Sequence, residues 1–218
     1  MPLVRLDSQF SKEDAYSLAY LLVNVREPKI VVELGAWMGA STMLLGVFLR
    51  YNQCNFYSID NFSGAGSKLI NKLEENPKEI LHENLKIMGL DNFVNVIESD
   101  SSEAASKFED ESVDFIFIDA DHRYSSIKKD LTSWYPKVKE DGIFCGHDFE
   151  YFGWDEKYIE KDSTDGRHHG VIKAVQETFK RVNWLPSTIW WSNKKNELLT
   201  PFMAPKMSVI DSFNYIQQ

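Results

Sequence analysis

Short apolar runs alternate along the chain with longer segments in which apolar residues recur every three or four positions. The apolar runs predict strands at residues 30–34, 55–60, 93–98, 113–119, 143–147 and 188–191. Near-continuous apolar runs are typical of parallel strands that are buried on both faces. Strands alternating with helices predict an α/β fold, a doubly wound parallel sheet with helices on both faces.

Local signals place the helices between these strands. Ser11, with Asp14 three residues later, predicts the start of a first helix that Pro28 ends. Further helices are predicted at residues 41–51, 77–88, 103–108 and 170–181, and Ile127, Leu131 and Trp134 mark the buried face of another helix between the fourth and fifth strands. Asp141-Gly142 predicts a turn into the fifth strand.

The pattern predicts one domain over residues 1–192 and a tail over residues 193–218 that lacks periodicity. Residues 149–169 form an irregular, polar and aromatic segment. A long segment of this kind at a ligand-binding edge is typical of a substrate loop or lid, although its aromatic side chains would equally suit a packed patch or a dimer contact. The tail is expected either to pack on a partner subunit of a homo-oligomer or to be disordered.

Charge and cysteine content narrow the function classes. The 218 residues carry a net charge of −9, with 33 acidic against 24 basic side chains. This balance disfavours a nucleic-acid or anionic-membrane surface, which requires clustered Lys and Arg. Two cysteines in a chain of this size suit a reducing cytoplasm. We also find no signal-peptide pattern and no run approaching the roughly 20 apolar residues of a membrane helix.

Acidic and histidine residues follow the fourth and fifth predicted strands. Asp119, Asp121 and His122 come after the first of these strands, and His147 and Asp148 after the second. Parallel strands joined by a crossover helix end on the same edge of a sheet, where open α/β sheets bind ligands. We therefore expect metal or acid–base chemistry at this edge, although Asp119 and Asp121 could instead cap the following helix.

The turn after the first strand indicates which cofactor the edge would bind. Residues 33–39 read ELGAWMG. A dinucleotide fingerprint requires glycine where Trp37 stands, so a nicotinamide cofactor is disfavoured. A ligand with a small anionic end and no pyrophosphate fits better, and S-adenosylmethionine is such a ligand.

Residues in the following helix and after the second and third strands could bind the carboxylate, ribose and adenine of S-adenosylmethionine. Ser41 lies in the first helical turn and could bind the methionine carboxylate. Asp60 ends the second strand and could accept hydrogen bonds from a ribose diol. Asp100, Ser101 and Ser102 follow the third strand and could meet the adenine edge.

These residues carry a resemblance to a known family. ELGAWMGAS resembles the first motif of class I S-adenosylmethionine-dependent methyltransferases, particularly the catechol and caffeoyl-CoA O-methyltransferases. IDADHRYSSIKKDLTSWYPKVKEDGIFCGHDF and GVIKAVQETF are similar to the family of macrocin-type sugar O-methyltransferases and cephalosporin-hydroxylase-like proteins. The resemblance covers about residues 30–191.

The resemblance implies a Rossmann-like sheet of seven strands, mostly parallel, with the last strand antiparallel. The cofactor residues that follow are Glu33, Gly35, Ala36, Gly39, Ser41, Asp60, Asn61, Asp100, Ser101 and Asp119. It also implies a divalent metal, Mg²⁺ or Mn²⁺, held by Asp119, His147 and Asp148, with His122 as general base beside the catalytic Asp119. His147 departs from the family, because an oxygen ligand is usual at its position.

Together these patterns predict metal-assisted methylation of a hydroxyl on a small-molecule acceptor. Two alternatives stay open: a metal-independent methyltransferase acting on another nucleophile, and a non-catalytic nucleoside-binding or interaction protein on the same fold.

Overall fold

The structure is a computed structural model that describes residues 4, 10–63, 76–185 and 187–195. The predicted tail therefore lies, from residue 196 onward, outside the described residues.

Seven strands form one sheet in the order β3-β2-β1-β4-β5-β7-β6. They are β1 (Ile30–Leu34), β2 (Asn55–Asp60), β3 (Val94–Glu98), β4 (Val113–Ile118), β5 (Val138–Gly146), β6 (Asn183–Trp184) and β7 (Trp190–Ser192). β1 to β5 pair in parallel, whereas β7 runs antiparallel to both of its neighbours, β5 and β6. This confirms the expected seven-stranded Rossmann-like sheet with an antiparallel last strand.

Six α-helices lie within the described residues. They are α1 (Lys12–Val23), α2 (Ala40–Leu49), α3 (Pro77–Ile87), α4 (Ser101–Ala104), α5 (Tyr124–Trp134) and α6 (His169–Thr178). Short 3₁₀ turns follow α4 at Ala105–Lys107 and precede α6 at Glu156–Tyr158. No helix in the described part of the chain is both long enough and apolar enough to cross a membrane.

Two hydrophobic cores cover the two faces of the sheet. Successive side chains of a strand point to opposite faces, so Val31 and Val32 of β1 enter different cores. One core packs α1, α2 and α3 against the sheet through residues such as Leu18, Leu45 and Leu81. The other packs α4, α5 and α6 through residues such as Ala104, Leu131 and Val175.

Two sequence predictions differ from the structure at the strand ends. The expected turn at Asp141-Gly142 is wrong, because both residues lie inside β5, where the pairing with β4 shifts register between Val113 and Phe115. β6 was not predicted, since a strand of two residues has too little pattern to be recognised.

The strand order determines where a ligand can bind. Successive strands are added on one side of β1 up to β3, and β4 then starts the other side of the sheet. The carboxyl ends of β1 and β4 flank this reversal, which is where open α/β sheets form their binding crevice. The structure therefore places the turn after β1 directly beside Asp119.

Candidate active site

A cleft of about 980 Å³ opens at the carboxyl edge of the sheet. Most of the predicted site residues line it: Gly35, Ala36, Ser41, Asp60, Asn61, Asp100, Ser101, Asp119, His122, His147 and Asp148. Glu33 and Gly39 are not among the lining residues that the structure describes. This volume is at the upper end of the range usual for small-molecule sites.

Gly35 follows β1 and packs directly against the backbone at the end of β4, on the floor of the cleft. Its φ is +91°, and a Cβ added there would lie 1.9 Å from the carbonyl oxygen of Asp119. The Asp119 N–H donates to the Leu34 carbonyl at 2.8 Å, which fixes the two strand ends against each other. Only glycine fits this left-handed, close-packed position.

Glu33 lies beneath the cleft rather than in it, contrary to the expected place beside the methionine end. It is fully buried and accepts hydrogen bonds from Ser41 Oγ at 2.5 Å, Thr42 Oγ1 at 2.6 Å and Ser58 Oγ at 2.6 Å. Burial outweighs these bonds and raises the pKa of Glu33 to about 7. Glu33 thus holds Ser41 and the start of α2, and reaches the cleft only through Ser41.

Gly39 has a packing role at the start of α2. It adopts a φ of +93°, and a Cβ there would lie 2.5 Å from Leu81 Cδ1. The residue therefore lets α2 approach α3, and its expected place around the cofactor stays a prediction.

Asp60 lines the cleft but also organises the first turn. Its Oδ2 accepts from the N–H groups of Ala36 at 2.9 Å and Trp37 at 2.8 Å, and its Oδ1 accepts from the Phe62 N–H at 2.7 Å. A carboxylate has about four acceptor positions, so capacity remains for a ligand hydroxyl.

The segment after β3 contacts a residue on α5, Asp130, that the sequence did not single out. Asp100 caps α4 through Ser102 and Glu103, and the Ser102 hydroxyl lowers the pKa of Asp100. The Ser101 hydroxyl donates to Asp130 on α5 at 2.5 Å. Asp130 lines the cleft although it is only 3% exposed, and burial raises its pKa to about 7.

Asp119, His147 and Asp148 converge as a set of ligand atoms. One atom from each residue lies within 4.8 Å of the others, which is a separation that a single cation can bridge. The set offers two carboxylates and one imidazole, and these donors suit Mn²⁺, Fe²⁺ or Zn²⁺ better than Mg²⁺. Asp148 adopts a left-handed backbone with φ +64°, which a non-glycine residue rarely does and which often marks a functional site.

His147 is held between two acidic groups. Its Nδ1 lies 2.9 Å from Asp148 Oδ1, and its Nε2 lies 3.1 Å from Asp14 Oδ2 on α1. Burial disfavours a charged imidazole, but Asp119, Asp14 and Asp148 outweigh it and raise the pKa of His147 to about 11. From the sequence, Asp14 is predicted only as part of a helix start, because nothing in its spacing along the chain connects it to the site.

His122, the expected general base, lies between two carboxylates. Its Nε2 lies 2.9 Å from Asp148 Oδ2, and its Nδ1 lies 2.8 Å from Asp162 Oδ1. Burial opposes protonation, but contacts with Asp119, Asp148 and Asp162 raise the pKa of His122 well above its usual range. His122 therefore bridges two carboxylates in this structure, and its role as general base stays a prediction.

The predicted lid at residues 149–169 presents polar rather than aromatic side chains to the cleft. Asp162, Ser163 and His168 are among the lining residues, whereas the aromatic residues of the segment are not. Phe152 instead contacts Phe149 and Trp184, with ring centroids 5.1 and 6.3 Å apart. In this arrangement, the aromatic rings of the segment do not cover the cleft.

The segment is anchored to the start of α5. The Ile159 carbonyl accepts from the Tyr124 N–H at 2.8 Å. Glu160 accepts from the Ser125 N–H at 3.1 Å and from the Ser125 hydroxyl at 2.7 Å. These bonds fix one side of the cleft rim.

The profile of a family described as a methyltransferase domain matches residues 32–149. The matched region runs from within β1 through β5 and includes the first turn, Asp119, His147 and Asp148. No curated protein matches the sequence.

Several solved structures share the architecture. One is a candidate caffeoyl-CoA O-methyltransferase from Staphylococcus aureus, with 19% identity and a TM-score of 0.60 over 86% of this chain and 84% of that one. The O-methyltransferase from Bacillus cereus in complex with SAH has 20% identity and a TM-score of 0.54, with 87% and 83% of the two chains covered. The O-methyltransferase TomG from Streptomyces achromogenes, in complex with SAM, has 15% identity and a TM-score of 0.57, with 88% and 82% covered. At these identities the likeness shows a shared fold.

Proposed function

The chain belongs to the methyltransferase-domain family, whose profile spans more than half of it, and we propose that it transfers a methyl group from S-adenosylmethionine to a hydroxyl of a small molecule with the help of a divalent cation. The observation that carries this proposal is a single cleft in which the turn after β1, Asp60 and the cluster of Asp119, His147 and Asp148 face the same space. Methyl transfer requires that the donor, S-adenosylmethionine, and the acceptor hydroxyl bind next to each other in one cleft.

The donor side of the cleft suits a molecule with an anionic end and a nucleoside. The N-terminus of α2, with Ser41 in its first turn, favours a carboxylate because free N–H groups and the helix dipole point there. Asp60 can accept from ribose hydroxyls, and Asp100 and Ser101 lie further along the same edge. The SAH and SAM complexes of the Bacillus cereus protein and TomG support this choice of donor.

Asp119, His147 and Asp148 would hold the cation at the acceptor side. A divalent cation there would lower the pKa of an acceptor hydroxyl and orient its oxygen. His122 contacts Asp148 at 2.9 Å and Asp162 at 2.8 Å, and therefore links one of these ligands to the rim of the cleft.

Positioning accounts for much of the expected rate. The sulfonium of the donor is already activated, so the acceptor oxygen needs only to lie in line with the methyl carbon as the carbon–sulfur bond breaks. The joined strand ends at Gly35 and Asp119 supply rigidity where that alignment is set.

Calorimetry with SAH and turnover with a panel of catechol and sugar acceptors test the proposal. We expect SAH to bind, EDTA to abolish turnover, and Mn²⁺ or Mg²⁺ to restore it. Asp148→Asn should lower turnover by at least the roughly 10–100-fold that loss of an outer metal partner costs. Asp141→Asn, an exposed aspartate away from the cleft lining, is the matched control and should be neutral.

Each failure has its own meaning. Absence of SAH binding would contradict the whole proposal. Full turnover in EDTA, with an active Asp148→Asn variant, would indicate metal-independent transfer to another nucleophile. SAH binding without turnover on any acceptor would favour a non-catalytic nucleoside-binding protein.

A further inference from the structure

Asp14 lies on the side of His147 that faces away from the cleft. The Asp14 Oδ2 atom is 3.1 Å from His147 Nε2, while His147 Nδ1 faces the cleft, 2.9 Å from Asp148 Oδ1 and 3.8 Å from Asp119 Oδ1. Asp14 and His147 are 3% and 8% exposed. The imidazole therefore bridges an acidic group behind the site and the acidic groups within it.

The position of the Asp14 carboxylate is fixed independently of the histidine. Its Oδ2 accepts from the Ser11 N–H at 2.9 Å and the Ser11 hydroxyl at 2.5 Å. Its Oδ1 accepts from the Thr188 N–H at 3.1 Å and the Thr188 hydroxyl at 3.2 Å. Four donors from two distant segments thus hold the carboxylate against His147.

An imidazole that binds a metal uses the lone pair of one nitrogen and keeps a proton on the other. A carboxylate placed opposite the second nitrogen holds that proton and fixes both the tautomer and the ring orientation. Here the Asp14 carboxylate lies 3.1 Å from Nε2, which has no aligned hydrogen-bond partner among the described residues. A small rotation of the ring would give the Nε2 proton to Asp14, which leaves Nδ1 as the nitrogen that can act as a ligand. A bound cation would take the place of the proton that Nδ1 shares with Asp148.

We propose that Asp14 is a positioning residue that makes His147 Nδ1 a metal ligand, and that this pair biases the site toward Mn²⁺ and other transition-metal cations over Mg²⁺. Imidazole nitrogen is a poor ligand for Mg²⁺ and a good one for the first-row transition metals. The inference rests on the cation site of the proposed function.

A purely structural role for Asp14 is the competing explanation. Asp14 also completes the capping box of α1 with Ser11, so its loss would weaken that helix whatever His147 does. Ser11→Ala separates the two roles. It removes the hydroxyl half of the box and one of the four donors to Asp14, but it keeps the carboxylate itself, the Ser11 N–H donor and both donors from Thr188.

Pulsed electron paramagnetic resonance of the full chain loaded with Mn²⁺ gives a direct test, because it detects nitrogen bonded to the ion. We expect a nitrogen coupling in the wild-type protein and in Ser11→Ala. The coupling should be absent in His147→Gln and lost or strongly reduced in Asp14→Asn. Mn²⁺ affinity should fall by about 10–100-fold in Asp14→Asn, and Mg²⁺ affinity should change less.

Thermal melts and SAH binding show which variants are folded. A wild-type Mn²⁺ spectrum without nitrogen coupling would overturn the inference even if every variant failed to fold. So would an unchanged coupling in folded Asp14→Asn, or an equal loss in Ser11→Ala. Methyl transfer with no nitrogen coupling would leave the proposed function intact, whereas coupling without transfer would contradict the function but not the inference.

Discussion

At the scale of single residues, the contact between Gly35 and Asp119 determines how closely the turn after β1 approaches the end of β4 at the cleft. The Asp119 carbonyl lies where the Cβ of any residue other than glycine at position 35 would stand. A substitution at Gly35 would therefore move Asp119 as well as the turn.

We predict that Gly35→Ala strongly destabilises the protein and abolishes SAH binding. A left-handed alanine costs about 1–2 kcal/mol, and displacement of packed backbone adds about 1–3 kcal/mol. Gly166→Ala is the matched control, since Gly166 also has a positive φ, +69°, but a Cβ there meets nothing within 4 Å. Urea unfolding and calorimetry would contradict the prediction if the two variants behaved alike.

Asp130 makes stability depend on pH. Burial raises its pKa from 3.8 to about 7 in the folded chain. The folded state thus retains a proton that the unfolded state releases, and stability is lost as the pH rises from about 4 to about 7, by at most about 4 kcal/mol.

We predict that Asp130→Asn removes the decrease in the free energy of unfolding that Asp130 causes as the pH rises. The amide carries no charge and can still accept from the Ser101 hydroxyl. The variant should gain stability over the wild type at pH 8 and none below pH 4. Urea unfolding across this range is the measurement, with the exposed Asp141→Asn as control. Equal pH profiles for wild type and Asp130→Asn would refute it.

At the scale of elements, the start of α5 depends on a segment that is distant in sequence. Arg123 stands at the N-cap of α5 and supplies no side-chain hydrogen bond to it. Glu160 provides the missing acceptor through the Ser125 N–H. The segment at residues 149–169 and α5 therefore stabilise each other.

We predict that Glu160→Ala costs about 1 kcal/mol, which is typical of a lost helix cap. Opening of the segment should become about fivefold more frequent, and trypsin should cleave after Lys157 and Lys161 correspondingly faster. Glu156→Ala is the control, since that exposed glutamate pairs with Lys173 at 3.5 Å and such pairs contribute little. Equal cleavage rates would show that the anchor is unimportant.

At the scale of the whole molecule, the sequence was sufficient to predict the parallel part of the sheet and the edge at which the cleft opens. The strands β1 to β5 are apolar runs, and Asp60, Asp119 and Asp148 come at or just after strand ends, so the topology brings them to one edge. The partners of Glu33, His122 and His147 could not be predicted in this way. They depend on which side chains meet across segments, such as Asp14 and Asp162, and spacing along the chain does not report that.

The bonds from Thr188 to Asp14 join residues 174 positions apart. Contacts of such separation require closure of a very long loop, and they form slowly. The first helix and the approach to β7 thus meet only when the sheet between them is largely assembled. During folding, we therefore expect the chain to become compact before the site is complete. Asp14 should reach His147 in one of the last steps, when the apolar strands are already buried and the chain is protected from aggregation.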